Sequence, residues 1–157
     1  MIKIYTDGAA KGNPGPGGYG VILDYKGKTK ELSEGFRLTT NNRMELLAVI
    51  VGLEAIKKEW WKVEIISDSN YVVDAVSKGW LGKWVTKGFK GKKNSDLWER
   101  FLQVYQKHNV KFKWIKGHAG HPQNERCDQL AVLAAEGKNL KIDRTFEQEK
   151  NKDSGGE

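Results

Sequence analysis

A chain of 157 residues with 38% hydrophobic content, six Trp, five Tyr and five Phe is sized for one domain around a single core. Its one cysteine excludes an internal disulfide, and its longest apolar run, within residues 44–56, is broken by Glu45, Gly52 and Glu54, far short of the roughly 20 residues that cross a bilayer. The net charge of +7 is concentrated: residues 77–117 hold eleven Lys/Arg against Asp96 and Glu99, so that sector attracts polyanions, although a merely solvated lysine-rich surface has the same charge.

Residues 1–6 form an apolar run ending at Asp7, and a turn-forming stretch, Gly8 to Gly18, leads into a returning strand at 19–25. Residues 30–38 alternate as a third strand, completing an antiparallel meander. Thr40, Asn41 and Asn42 offer N-caps, and Arg43 to Trp60 is rich in helix formers, so one long helix is expected there. A β-branched run at 63–67 ends at Asp68, and Ser69 caps a helix to about Ser77.

In residues 79–93, Trp80, Trp84 and Phe89 are interleaved with Lys83, Lys87, Lys90, Lys92, Lys93 and four glycines. This reads as a short helix and loop projecting from the core. A helix from Asn94, an alternating strand at 110–114, a glycine-bearing loop at 116–123 and a helix at 124–136 follow. Residues 1–146 form the expected domain, and the polar residues 147–157 are expected to be a disordered tail.

Asp7 and Asp68 both end apolar runs, at the strand ends where ligands of open α/β sheets collect. Glu45 lies one helical turn after Asn41, and Asp128 sits among Cys127, Leu130, Ala131 and Ala134. Singly, each has a structural explanation; for Glu45 it is the helix macrodipole. Clustered, the four would repel and partly protonate unless cations held them, and hard oxygen ligands select Mg²⁺ or Mn²⁺. Two such ions about 3.5–4 Å apart suit phosphodiester hydrolysis.

His118, in a small-residue loop, is placed to shuttle protons or assist product release, as histidine ordinarily titrates near neutrality. A zinc site from His118, His121 and Cys127 is a rival reading. The glycine-rich segment at 12–20 lacks the Gly-Lys-Ser/Thr ending of a P-loop and suits a hairpin turn near substrate, with Asn13 available to hydrogen-bond. The aromatic-lysine segment at 79–93 suits a nucleic-acid face, with core packing of its aromatics as the alternative.

Tyr5-Thr6-Asp7-Gly8, Gly12 to Gly20, Thr40-Asn41-Asn42-Arg43-Met44-Glu45-Leu46, Asp68 to Val72 and Lys116 to Asp128 together resemble bacterial type 1 ribonuclease H, in order from Met1 to about Gly137. The resemblance implies an α/β fold with a mixed five-stranded sheet, in the order β-β-β-α-β-α-β-α with an extra short basic helix. It implies endonucleolytic cleavage of the RNA strand of RNA/DNA hybrids, leaving 5′-phosphates. Asp7, Glu45, Asp68 and Asp128 would hold two Mg²⁺ ions, with Mn²⁺ able to substitute; His118 would assist, and Glu125 match an auxiliary acidic position. Asn13, Asn41, Asn42 and Asn70 would meet the RNA strand, where short amides suit 2′-hydroxyls. Thr40 and Asn94 would hold a DNA phosphate, and the segment of Trp80, Lys83, Trp84, Lys87, Phe89 and Lys90 would grip the DNA strand.

Two departures stand out. Asn70 replaces a longer amide, and Leu38 stands where some members carry a phosphate-pocket arginine, with Arg37 one residue away facing the other side of its strand. A cytoplasmic monomer is expected, because the opening residues lack a signal peptide and a hybrid duplex is the partner. A non-catalytic hybrid-binding module and a DNA-directed nuclease of the same fold are the alternatives.

Overall fold

Loose alternation of apolar and polar residues marks the third of the first three strands, and turn residues at 26–27 reverse the chain between the second and third. They are β1 (Ile2–Ala10), β2 (Gly15–Tyr25) and β3 (Lys28–Thr39), an antiparallel meander in the computed structural model, which describes the backbone of residues 1–155 and the side chains of residues 1–151. Helix α1 (Asn41–Glu54) follows, then β4 (Lys62–Ser67), α2 (Asn70–Ser77), α3 (Trp80–Thr86), α4 (Ser95–Tyr105), β5 (Asn109–Trp114), α5 (Pro122–Ala135) and α6 (Arg144–Gly155). The sheet order is β3-β2-β1-β4-β5, with β1, β4 and β5 parallel. The expected mixed five-stranded sheet is present; three helices lie between β4 and β5, and α6 adds a helix after the expected last one.

Helix α1 packs across one face of the sheet, with Met44, Leu46, Val49, Ile50 and Leu53 buried against Ile4 and Val21. Its N-terminus is set by Thr40, whose Oγ1 accepts from the Arg43 amide at 3.2 Å. Helix α5 covers the other face so closely that a Cβ on Gly20 would lie 2.2 Å from the Cys127 carbonyl oxygen. Only glycine permits that approach, which lays the turn carrying Asp128 over the register pair Asp7–Gly20.

Four expectations need correction. Asp7 does not end its strand: parallel pairing with β4 stops after Tyr5–Ile66, but pairing with β2 carries β1 on to Ala10. Helix α1 stops at Glu54 rather than Trp60, because the chain is drawn toward the start of β5. There the Trp60 amide donates to the Lys107 carbonyl, the Asn109 amide to the Trp61 carbonyl, and Trp61 packs edge-on against Tyr25. These tertiary contacts override the helix propensity of residues 55–60.

The segment at 79–93 does not simply project. Leu81 and Phe89 are buried in the core, and Trp84 packs edge-on against buried Trp98 at 5.5 Å. Finally, the region read as a disordered tail is helical through Gly155, anchored by Arg37 Nε and Nη2 donating to both oxygens of Glu147 at 2.9 and 2.8 Å. A polar composition hid this helix because its attachment is ionic, not apolar. Residues 156 and 157 lie outside the described residues.

Candidate active site

Pairing of Tyr5 with Ile66 places Asp7 and Asp68, each two residues further on, side by side where β1 and β4 diverge. Helix α1 delivers Glu45 to the same point, because Gly8 lets the helix backbone lie against β1 and its amide donates to Glu45 Oε1 at 2.8 Å. One carboxylate oxygen from each of Asp7, Glu45 and Asp68 lies within 4.8 Å of the others. Asp128 on α5 lines the same cavity but stands outside that tight group.

Burial raises the Asp7 carboxyl far above the usual carboxylate range, and the neighbouring Glu45, Asp68 and Asp128 carboxylates push it further. Burial likewise raises Glu45, with Asp68 adding to it and the Gly8 amide opposing. Asp68 is raised by burial and by Asp128, and drawn back by His118. Glu45 Oε2 is buried with no hydrogen-bond partner. An orphaned buried carboxylate oxygen facing two further carboxylates is the donor set of a divalent cation, so the residues fit the metal the sequence implies.

Around this cluster, a cavity of about 480 Å³ takes in Asn41, Asn42, Asn70 and His118 beside the four acids. Asn41, Asn42 and Asn70 are exposed, while Asn13 Oδ1 accepts from the Asn41 backbone N–H at 3.2 Å and so tethers the β1–β2 turn to α1. His118 is exposed at a left-handed φ of 56°. Its loop is packed tightly onto Asp68: a Cβ on Gly117 would lie 2.6 Å from Asp68 Oδ2. Glu125, exposed in the first turn of α5, borders a smaller cavity with His118 and Asp128.

A family model described as RNase H matches residues 1–136. The chain belongs to the ribonuclease H family. A ribonuclease H of Desulforamulus reducens is 61% identical over 147 residues, covering 90% of this chain and 92% of that one. Among solved structures, LC9-RNase H1, a type 1 RNase H with the type 2 active-site motif, superposes with a TM-score of 0.79 at 34% identity, over 88% of this chain and 73% of its own. LC11-RNase H1, solved in complex with an RNA/DNA hybrid, gives 0.61 at 31% identity, over 87% and 97%.

The zinc reading fails on geometry. Cys127 is buried with its thiol donating to the Tyr5 carbonyl at 3.3 Å, while His118 and His121 are exposed, and among the described residues the three form no ligand group. The basic segment divides: Lys83, Lys87, Lys90 and Trp80 are exposed, Trp84 is half-buried, and Phe89 is buried, so its ring is not free to meet a nucleotide.

Thr40 and Asn94 are joined through one residue that sequence reading left without a role. Arg43 is 2% exposed, its amide donates to Thr40 Oγ1 and its Nη1 to Asn94 Oδ1 at 3.2 Å, while the Asn94 amide donates to the Tyr71 hydroxyl at 3.0 Å. Its remaining donors go to Asp96 and Asp143. Nothing local in the sequence marks Arg43 apart from its place between Asn42 and Met44. Arg37, by contrast, is committed to Glu147, in keeping with its exclusion from the phosphate contacts.

Proposed function

We propose that this chain is an endonuclease that hydrolyses the RNA strand of RNA/DNA hybrids, leaving 5′-phosphates, with Asp7, Glu45, Asp68 and Asp128 holding two Mg²⁺ ions. The observation that carries the reading is the convergence of three carboxylate oxygens within 4.8 Å, one residue contributing an orphaned buried oxygen, in a cavity rimmed by exposed asparagines. When bound, the ions would activate a water and stabilise the charge on the leaving oxygen.

The protein's own groups supply selection and placement. The side-chain amides of Asn13, Asn41, Asn42 and Asn70 bind 2′-hydroxyls, which a DNA strand lacks, so the RNA strand is held over the acids. Thr40 and Asn94 hold a phosphate of the other strand, and Trp80, Lys83, Trp84, Lys87 and Lys90 extend that sequence-independent grip. His118 carries a proton on its ring nitrogen toward the scissile phosphate or helps the product leave, beside the Asp68 carboxylate, and Glu125 tunes the charge at that edge.

One chain suffices to meet both strands, which supports a monomer, and the lone buried thiol suits the reducing cytoplasm. No helix among the described residues is long and apolar enough to cross a membrane. The test is incubation with a hybrid bearing labelled RNA, with and without Mg²⁺, beside an all-DNA duplex. Cleavage confined to the RNA and to the metal-containing sample is expected. Equal cleavage of the DNA duplex, binding without cleavage, or full activity in Asp68→Asn would overturn it.

A further inference from the structure

The cavity that holds the active-site acids does not end there. Asn42 lines it and also lines a second cavity of about 580 Å³, whose walls include Thr40, Asn94, Lys93, Phe146 and Lys150. A strand lying over the acids therefore has a continuous path into this second space. The far wall is α6, the helix where the sequence pattern leads one to expect only a polar tail.

Four ties hold that wall in place. Arg43 grips Asp143, the residue before α6, through Nε to Oδ2 at 2.7 Å and Nη2 to Oδ1 at 2.9 Å; Thr39 Oγ1 donates to the same carboxylate at 2.8 Å. Arg37 pairs with Glu147 one turn into α6. The Phe146 ring lies under the Arg43 guanidinium at 5.9 Å. Just before the helix, Lys141 bonds both ways with β3, its amide to the Gly35 carbonyl and its carbonyl from the Arg37 amide. These anchors hold the first turn of α6 against β3 and α1, and Lys150 lies one turn beyond Phe146 on the wall of the cavity.

The chemistry of the space is that of a phosphodiester site. It offers the Thr40 hydroxyl, the Asn42 and Asn94 amides and two exposed ammoniums, Lys93 and Lys150, against one carboxylate, Glu149. Its volume exceeds what a single phosphate group needs and accommodates a phosphate with its flanking sugars.

We propose that α6 forms part of the hybrid-binding surface of this protein, with Lys150, alongside Lys93, contacting the nucleic-acid backbone phosphates next to Thr40 and Asn94. This rests on the function proposed above for Thr40 and Asn94. The contact is electrostatic and sequence-independent, so it acts on affinity and its salt dependence.

The experiment measures binding of a fluorescent RNA/DNA hybrid across a salt series in an Asp68→Asn background, which leaves the substrate intact. Lys150→Gln is expected to reduce the slope of log K against log salt by about 1, the value of one lost phosphate contact. Lys150→Glu reduces affinity further. Lys57→Gln, at the opposite end of the sheet, leaves the slope unchanged.

A parental slope in Lys150→Gln, or an equal fall in Lys57→Gln, overturns the role of α6 while leaving hybrid cleavage by the unmodified protein intact. If the unmodified protein neither binds nor cuts the hybrid, the underlying function fails, and this inference with it.

Discussion

The backbone amide of Gly8 donates to Oε1 of Glu45 at 2.8 Å, and a Cβ on Gly8 would lie 2.4 Å from the Glu45 amide nitrogen. The same bare α-carbon that lets α1 lie on β1 therefore sets the distance between Asp7 and Glu45. Gly8→Ala should push helix and strand apart, at a cost of about 1–3 kcal/mol from overpacking. Thermal unfolding would register this as a fall of a few degrees. Hybrid cleavage should fall by far more than the folded fraction does, because the carboxylate cluster is distorted; unchanged turnover would refute the link.

The acids also make a prediction about stability. Because the folded-state pKa of Asp7 is raised by burial and by its acidic neighbours, between the usual carboxylate range and the raised folded value the folded protein keeps a proton that the unfolded chain has released. Metal-free stability must then fall as pH rises through that interval. Asp7→Asn removes the penalty, so the metal-free variant should melt higher than the parent at pH 8 while losing activity. Added Mg²⁺ should raise the melting temperature of the parent and do little for the variant. Melting curves with chelator and with Mg²⁺ decide both points.

Arg43 carries the opposite electrostatics. Burial pushes the Asp96 carboxyl up, but the hydrogen bonds and charge of Arg43 outweigh it and hold Asp96 below the usual range. A depressed folded value contributes stability above the unfolded value and loses it as pH falls through the folded one, so the contribution of this pair should be lost as Asp96 protonates in acid. Arg43→Ala leaves Asp143 buried and Asp96 part-buried without their cation, and is expected to cost about 3–5 kcal/mol, at the lower end because Asp96 is partly solvated. Urea unfolding at pH 7 and pH 3 should show the difference between parent and variant narrowing in acid.

Burial raises the Cys127 thiol well above its ordinary value, and the nearby Asp7 charge adds to the effect. The thiolate is the reactive form, so the native protein should resist alkylation by iodoacetamide at pH 8 and react only on unfolding. Rapid modification of the native protein, followed by mass spectrometry, would contradict the packing of α5 against β1.

Much of the site was legible in the chain order alone. Apolar runs ending at Asp7 and Asp68, an N-cap one turn before Glu45 and a small-residue loop at His118 are local signals, and local signals survive folding when sterics and capping generate them. The three-strand meander and the helix capped by Ser69 were readable for the same reason, although β1 runs on to Ala10 and β2 begins at Gly15, inside the stretch whose glycines signal a turn. The end of α1 was not, since Trp60 and Trp61 are held by Lys107, Asn109 and Tyr25, partners remote in sequence. The burial of Phe89 was not legible either, because interleaved lysines describe a surface only when the backbone keeps every side chain outside.

The sequence by itself determined which kinds of groups the chain carries: carboxylates closing apolar runs, short amides near a helix start, and lysines gathered in one sector. Tertiary structure decided the distances between them. Asp7, Glu45 and Asp68 converge because β1 pairs in register with β4 and because Gly8 admits α1 to backbone contact, while Gly20 admits α5 and with it Asp128. The placement of α6 beside Thr40 and Asn94 depends on Arg43 and Arg37 reaching carboxylates about a hundred residues away. Periodicity and capping act over a few residues and can be read in order; ion pairs across such separations exist only once the chain has closed on itself.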